Sequence, residues 1–176
     1  TMYLTEFGKT WVYKFGKDHP DWFALQPDGK RLLKLLPPHQ RHQMCFSNPG
    51  LIDEVVRRTV EYVDAHPLWD GYGIYPSDSI EGYNCVCDLC KANGPTRSDQ
   101  RSHYFQAVAE KLAKLRPGKY GTALAYYNYV DPPTRDIQFG DNVLLDFCNA
   151  GYFEDEERRK SIARWEGWAK HAQKMV

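Results

Sequence analysis

The chain has 176 residues, which is enough for one domain with a buried core, since a typical domain holds roughly 100–150 residues. Its formal net charge is zero and its pI is near neutral, so charge gives no support for binding to nucleic acid or to an anionic membrane. No run of about 18 apolar residues occurs, so no membrane span is expected.

The first 42 residues are predicted to form an irregular segment that is rich in aromatic and basic side chains. A short strand-like run follows at residues 43–46. Asn48 then has the character of a helix N-cap, and Pro49 suits the first helical position. Apolar residues recur at helical spacing beyond this point, with charges on the other face, which predicts a helix that ends near His66.

Strand-like runs and amphipathic helices alternate along the rest of the chain. Strands are predicted at residues 72–75, 121–129 and 142–148, with helices at residues 98–115 and 155–174. This alternation predicts an α/β fold with a parallel sheet and helices packed outside it. Functional loops are expected at the carboxyl ends of the strands.

Two architectures fit this order of elements, a doubly wound sheet and part of a (β/α)8 barrel. No glycine-rich phosphate loop follows any strand, so a nucleotide-binding sheet has no support. A whole barrel needs about 250 residues, and residues 43–176 would supply four β/α units, or about half of one. We therefore expect residues 1–176 to form a single partial barrel domain that is a fragment of a larger protein.

Three cysteines, Cys85, Cys87 and Cys90, occur within one short loop. Tetrahedral zinc takes four nitrogen or sulfur ligands, and Cys-x-x-Cys is a frequent chelating pair. Cys45 ends the preceding strand-like run and is the expected fourth ligand, with His42 as a weaker alternative. Such a zinc would be structural, with no position left for water. A disulfide from Cys45 to the cluster and reduced, packed thiols are the two other interpretations.

Two acidic residues occupy the same loop, just beyond the strand predicted at residues 72–75. Asp78 lies at the carboxyl end of that strand, and Glu81 follows three residues later. Catalytic groups of barrel enzymes lie at this end of the strands. The structural alternative is that Asp78 caps the loop by accepting hydrogen bonds from backbone N–H groups.

Short sequence blocks occur in a fixed order between about residues 15 and 150. They read DHPDWFAL at 18–25, GKR at 29–31, CFSNP at 45–49, SD at 77–78, C-x-C-x-x-C at 85–90, RSD at 97–99, LAY at 124–126, PP at 132–133 and NV at 142–143. In this order they resemble the bacterial domain of glycoside hydrolase family 163, the endo-β-N-acetylglucosaminidase-like proteins. The resemblance implies a (β/α)8 barrel within a larger multidomain protein, so the rest of the barrel and flanking domains would be partners of this chain.

The resemblance also implies a glycosidase that acts on glycans containing β-linked N-acetylglucosamine. Asp78 matches an Asp of the family, and it would act as general acid or would orient the N-acetyl group of the substrate. Glu81 would be its helper. Asp146 either points into the barrel or caps a pair, and after Cys148 no acid follows until Glu154. A non-catalytic glycan-binding barrel and a zinc-braced interaction module therefore stay open as alternatives.

Aromatic and amide side chains near the strand ends are the candidate sugar contacts, because sugar rings stack on aromatic faces and sugar hydroxyls bond to amides. The candidates are Tyr75, Tyr83, Asn84, Tyr126, Asn128 and Tyr152. Alternation along residues 125–129 puts Tyr126 and Asn128 on one face, and we expect this face to line the barrel interior. The resemblance implies an extracytoplasmic or cell-surface location.

Overall fold

The chain folds around a parallel β-sheet with helices against it, in a computed structural model that describes residues 10–34, 43–76, 84–148 and 154–176. In chain order the elements are α1 (Thr10–Phe15), α2 (Pro49–Ala65), β1 (Gly71–Gly73), α3 (Asp88–Ala92), α4 (Arg97–Leu115), β2 (Tyr120–Tyr126), β3 (Val143–Cys148) and α5 (Asp155–Trp168). The sheet has the order β1-β2-β3, and both pairings are parallel. The predicted α/β class with parallel β/α units is confirmed.

The strand-like run at residues 43–46 does not belong to this sheet. Met44 instead forms an isolated antiparallel bridge with Phe23. The parallel sheet of the described residues therefore has three strands, where the sequence predicted four β/α units. The run is apolar enough to be a buried strand, but its pairing partner lies in the N-terminal segment that was expected to be irregular. That segment also contains α1, which is too short to show a helical period.

Local signals at helix ends account well for α2 and α4. The Asn48 side chain accepts a hydrogen bond from the Leu51 N–H, and Pro49 is the first residue of α2, as predicted. At α4, Thr96 and Asp99 form a reciprocal capping box. None of the helices in these described ranges is long and apolar enough to cross a membrane.

The predicted end of α5 at residue 174 is wrong, because the helix ends at Trp168. The last residues of the chain pair with β3 instead. The Leu145 N–H donates to the Lys174 carbonyl, and the Val176 N–H donates to the Leu145 carbonyl, which forms a parallel bridge between Leu145 and Met175. Backbone pairing at the sheet thus outweighs the helical pattern of the side chains here.

The two faces of the central strand β2 differ. A Cβ atom added to Gly121 would lie 2.9 Å from the Ile74 Cδ1, which is too close, and 3.5 Å from the Ala109 Cβ of α4, which is an ordinary contact, so glycine at this position leaves room for the Ile74 side chain. Ala123 and Ala125 share this fully buried face. The residues between them, including Leu124, face away from α4 and are only half-buried.

Strand β2 ends earlier than predicted. Tyr127 has φ +46°, a left-handed conformation that ends the strand and starts a 3₁₀ turn over Tyr127–Tyr129. The alternation of faces therefore applies to Tyr126 but no longer to Asn128. The sequence carries no signal for this turn, since left-handed positions normally select Gly or Asn.

Aromatic side chains dominate the core. The largest fully buried side chains include Trp11, Trp168, Tyr104, Phe23 and Phe105. Trp22 is also buried, whereas Trp69 is 41% exposed. The aromatic core thus connects the N-terminal segment with α4 and α5.

Asp99 ties the start of α4 to the loop before β3. Its buried carboxylate accepts hydrogen bonds from the backbone N–H and hydroxyl of Thr96, from those of Thr134, and from the Arg135 N–H, at 2.7–3.0 Å. Burial raises the pKa of Asp99, but the hydrogen bonds from Thr96, Arg135 and Thr134 outweigh it, so the pKa lies below its usual value.

We predict that Asp99→Ala lowers the free energy of unfolding by roughly 3–5 kcal/mol, because several buried donors lose their acceptor. Urea denaturation at pH 7 measures the change. The depressed pKa means that the carboxylate's contribution is complete above the unfolded pKa, about 3.9, and disappears as the pH falls through the lower folded value. Asp53→Ala, which removes an exposed ion pair with Lys111, should cost less than about 1 kcal/mol. Equal losses in the two variants would contradict the role of Asp99.

Candidate metal centre

Four cysteine sulfurs meet beside the N-terminal segment. Cys45, Cys85, Cys87 and Cys90 are all buried, and their sulfurs lie within 4.8 Å of one another. The Cys45 sulfur is 3.5 Å from that of Cys87 and 3.8 Å from that of Cys90. A tetrahedral site with metal–sulfur bonds of 2.3 Å has sulfur–sulfur edges of about 3.8 Å. The predicted set of four ligands is therefore brought together at a spacing that fits one metal ion.

Backbone hydrogen bonds to the N-terminal segment bring together ligands from two distant parts of the chain. The Cys45 N–H donates to the Trp22 carbonyl, which holds the first ligand against the N-terminal segment. The Val86 N–H donates to the Leu25 carbonyl, which holds the second group of ligands against the same segment. Cys87 is the N-cap residue of α3, and Cys90 lies within that helix. No sequence pattern predicts α3, because its five residues are too few to show a helical period.

Two of the cluster's sulfurs form hydrogen bonds with groups outside the cluster. The Leu25 N–H donates to the Cys85 sulfur at 3.3 Å, and the Ser47 side chain forms a hydrogen bond with Cys90. Asn93 donates from its side-chain amide to the Ser47 hydroxyl at 2.8 Å, which fixes the position of that hydroxyl. Partners of this kind orient metal ligands and tune their basicity. Ser47 and Asn93 were not recognised in the sequence, although both lie within three residues of a ligand.

Cys85 and Cys45 differ in acidity. Hydrogen bonds from Cys45 and Cys90, with the N–H groups of Cys87 and Leu25, hold the pKa of the Cys85 thiol well below its usual value, although burial opposes them. The hydrogen bonds of Cys45 to Cys85 and Cys90, together with burial, raise the pKa of Cys45. Metal ligation requires thiolates, and the donors around Cys85 favour its thiolate.

No disulfide is present among the described cysteines, and all five are free thiols. Their closest measured separation within the cluster, 3.5 Å, is far longer than the bond of about 2.05 Å in a disulfide. Cys148 lies apart at the end of β3, where its sulfur contacts the Asp146 carboxylate. Burial, with a smaller effect of Asp146, raises the pKa of Cys148 to about 11. His42, the weaker candidate ligand, lies outside the described residues.

The predicted acid and sugar-contact residues are only partly within the described ranges. Asp78, Glu81, Tyr83 and Tyr152 lie outside them. Four candidates are described: Tyr75 is buried, and Asn84, Tyr126 and Asn128 are half-buried. Asn84 precedes Cys85 directly, and its carbonyl accepts a hydrogen bond from the Gln26 side chain. The metal cluster and one predicted sugar contact are therefore adjacent in the chain.

We predict that Cys45→Ser weakens binding of a divalent metal by roughly 3 kcal/mol, or about a hundredfold. One of four sulfur donors is lost, and a structural zinc site contributes about 10–16 kcal/mol in total. Titration of the reduced protein with Co²⁺, followed by its sulfur-to-metal absorption, measures the affinity. Cys148→Ser is the matched control and should leave binding unchanged. Unaltered binding in Cys45→Ser would show that the metal is held elsewhere.

Comparison with known proteins places the chain in a family. Residues 5–176 match a family that is described as "Domain of unknown function (DUF4838)". No curated protein and no solved structure matches the chain. Because the match extends over nearly the whole chain, the protein belongs to this DUF4838 family of unknown function.

Proposed function

We propose that the four cysteines bind a structural zinc ion, and that the zinc braces a glycosidase-like barrel domain. The sulfur geometry is the observation that supports the metal. Thiolate ligands favour zinc or iron over the hard ions magnesium and calcium, and four protein sulfurs leave no open position for water. A closed site of this kind contributes to folding and not to the chemical step.

The cluster is placed to fix one end of the loop that carries the two predicted acids. Ile74 donates its N–H to the Thr122 carbonyl, so the chain is tied to the sheet shortly before the loop. After the loop the chain is held by two further hydrogen bonds. The Gln26 side chain donates to the Asn84 carbonyl, and the Leu25 N–H donates to the Cys85 sulfur. The segment with Asp78 and Glu81 lies between these anchors in the sequence. Zinc bound to Cys85 would hold this second end of the loop rigidly.

The order of the strands supports a barrel over a doubly wound sheet. Each described strand lies beside its neighbour in sequence, and the Leu145–Met175 bridge continues beyond β3 in the same direction and orientation. A doubly wound sheet reverses its order at a switch point, and the described strands contain no such reversal. A (β/α)8 barrel continues in one direction, with catalytic groups at the carboxyl ends of its strands.

The face of β2 that turns away from α4 would line the interior of such a barrel. Tyr126 lies on this face at the carboxyl end of the strand. Asp146 pairs in register with Leu124, so its carboxylate belongs to the same half-buried face. An aromatic ring and a carboxylate near the strand ends are groups that a glycan-cleaving site uses. The substrate class itself rests on the resemblance to glycoside hydrolase family 163.

In this proposal Asp78 acts as general acid or orients the N-acetyl group of a β-linked N-acetylglucosamine glycan. Glu81 assists it, and Asp146 is a further carboxylate for the reaction. The sugar is contacted by aromatic and amide groups at the strand ends. These are Tyr75, Tyr83, Asn84, Tyr126, Asn128 and Tyr152.

We predict that the natural protein that contains this sequence, here called the parent protein, releases glycans from complex N-glycoproteins. The substitution Asp78→Asn should reduce the rate of release at least about a hundredfold. Loss of a general acid typically costs a factor of 10²–10⁴. Mass spectrometry of the released glycans measures the rate. Asp88→Asn is the control, because Asp88 is a fully exposed acid that follows Cys87 directly.

Glycan binding without release by the parent protein would favour a non-catalytic glycan-binding barrel. Zinc binding without any affinity for glycans would favour a zinc-braced interaction module. Either result would overturn the proposed hydrolase, and neither would affect the metal centre.

A further inference from the structure

Arg101, on the first turns of α4, is a buried cation. Its side chain is 6% exposed, and its guanidinium carbon lies 3.8 Å from the centre of the Phe46 ring. One terminal nitrogen donates to the Gln43 side chain at 3.3 Å, and Nε has no hydrogen-bond partner in the described ranges. Burial of an ion costs several kcal/mol unless an opposite charge compensates it.

No carboxylate compensates this charge within the part of the chain that the structure describes. The ion pairs found there involve other basic residues. Burial lowers the pKa of Arg101 to about 10, and Tyr129 and Cys90 act in the opposite direction. The guanidinium therefore stays charged at neutral pH.

The residues that Arg101 contacts belong to the segment that carries Cys45, so a metal-loaded cluster could supply the missing negative charge. Arg101 contacts Gln43 and Phe46, which flank Cys45 on either side in the sequence. Cys90, a second ligand, is close enough to influence the charge of Arg101. Four thiolates around a divalent ion carry a net charge of about −2. Metal ligation requires all four cysteines as thiolates, so metal binding makes the cluster more negative.

We propose that Arg101 is the buried counter-charge of the metal-loaded cysteine cluster. The inference rests on the proposed metal centre and assigns to it a residue that does not touch the metal. Arg101 is a positioning residue that stabilises the thiolates through space. The cation–π contact holds the guanidinium on the ring of Phe46, which follows Cys45 in the chain. Metal binding in turn supplies the charge that makes burial of this arginine favourable.

The test compares zinc affinity in three variants of the reduced protein, by competition with a chelating dye. Arg101→Met should weaken zinc binding about 10–100-fold, the usual effect of losing an outer partner of a metal site. Arg101→Lys should retain most of the affinity, because it keeps the positive charge. Arg97→Met removes the same charge one turn earlier on α4 and should leave the affinity unchanged.

Thermal unfolding separates this role from simple packing. With zinc bound, Arg101→Met should unfold at a lower temperature than the parent protein. Without zinc the cluster carries less negative charge, so the same substitution should lower the unfolding temperature less, or should raise it. A packing role would lower the unfolding temperature by the same amount in both states.

Equal zinc affinity in the parent protein and in Arg101→Met would overturn this inference and leave the metal centre intact. An equal loss in Arg101→Lys and Arg101→Met would also overturn it, because geometry and not charge would then matter. A parent protein that binds no zinc would overturn the proposed metal centre, and this inference with it.

Discussion

The convergence of four thiols is the constraint on which the N-terminal half of this structure depends. Cys45 and Cys87 lie 42 residues apart in the chain, yet their sulfurs are in contact. Around them the only apolar partners in the described ranges are Ala24 and Leu25, so little hydrophobic area stabilises this cluster. Bringing these cysteines together has an entropic cost. A metal bound to all four sulfurs would offset that cost and stabilise the cluster.

The same constraint links the metal centre to the sheet. The chain is hydrogen-bonded to the sheet at Ile74 and to the N-terminal segment at Val86, and the two predicted acids lie between these residues in the sequence. Arg101 of α4 contacts Phe46, the residue after Cys45, and Ala109 of the same helix lies against β2 near Gly121. A change in the occupancy of the cluster would thus be felt both by the loop and by the helical layer.

Strong local signals made part of this structure predictable. Asn48 and Pro49 predicted the start of α2, and the spacing of Cys85, Cys87 and Cys90 predicted three members of the cluster. Cys45 does join them, although its strand-like run lies outside the sheet. Features set by long-range contacts were missed. The predicted α5 was too long because residues 174–176 pair with β3. The predicted β2 was too long because the left-handed turn at Tyr127 has no glycine to mark it. Arg101 was not singled out in the sequence, since its burial depends on residues over 50 positions away.

X-ray absorption at the zinc edge tests the central claim most directly. The reduced protein is loaded with one equivalent of zinc, and the scattering shell around the metal is measured. The structure predicts four sulfur atoms at about 2.3 Å and no oxygen or nitrogen in the first shell. A shell that contains oxygen or nitrogen in place of sulfur, or a protein that retains no zinc, would contradict a closed four-cysteine centre.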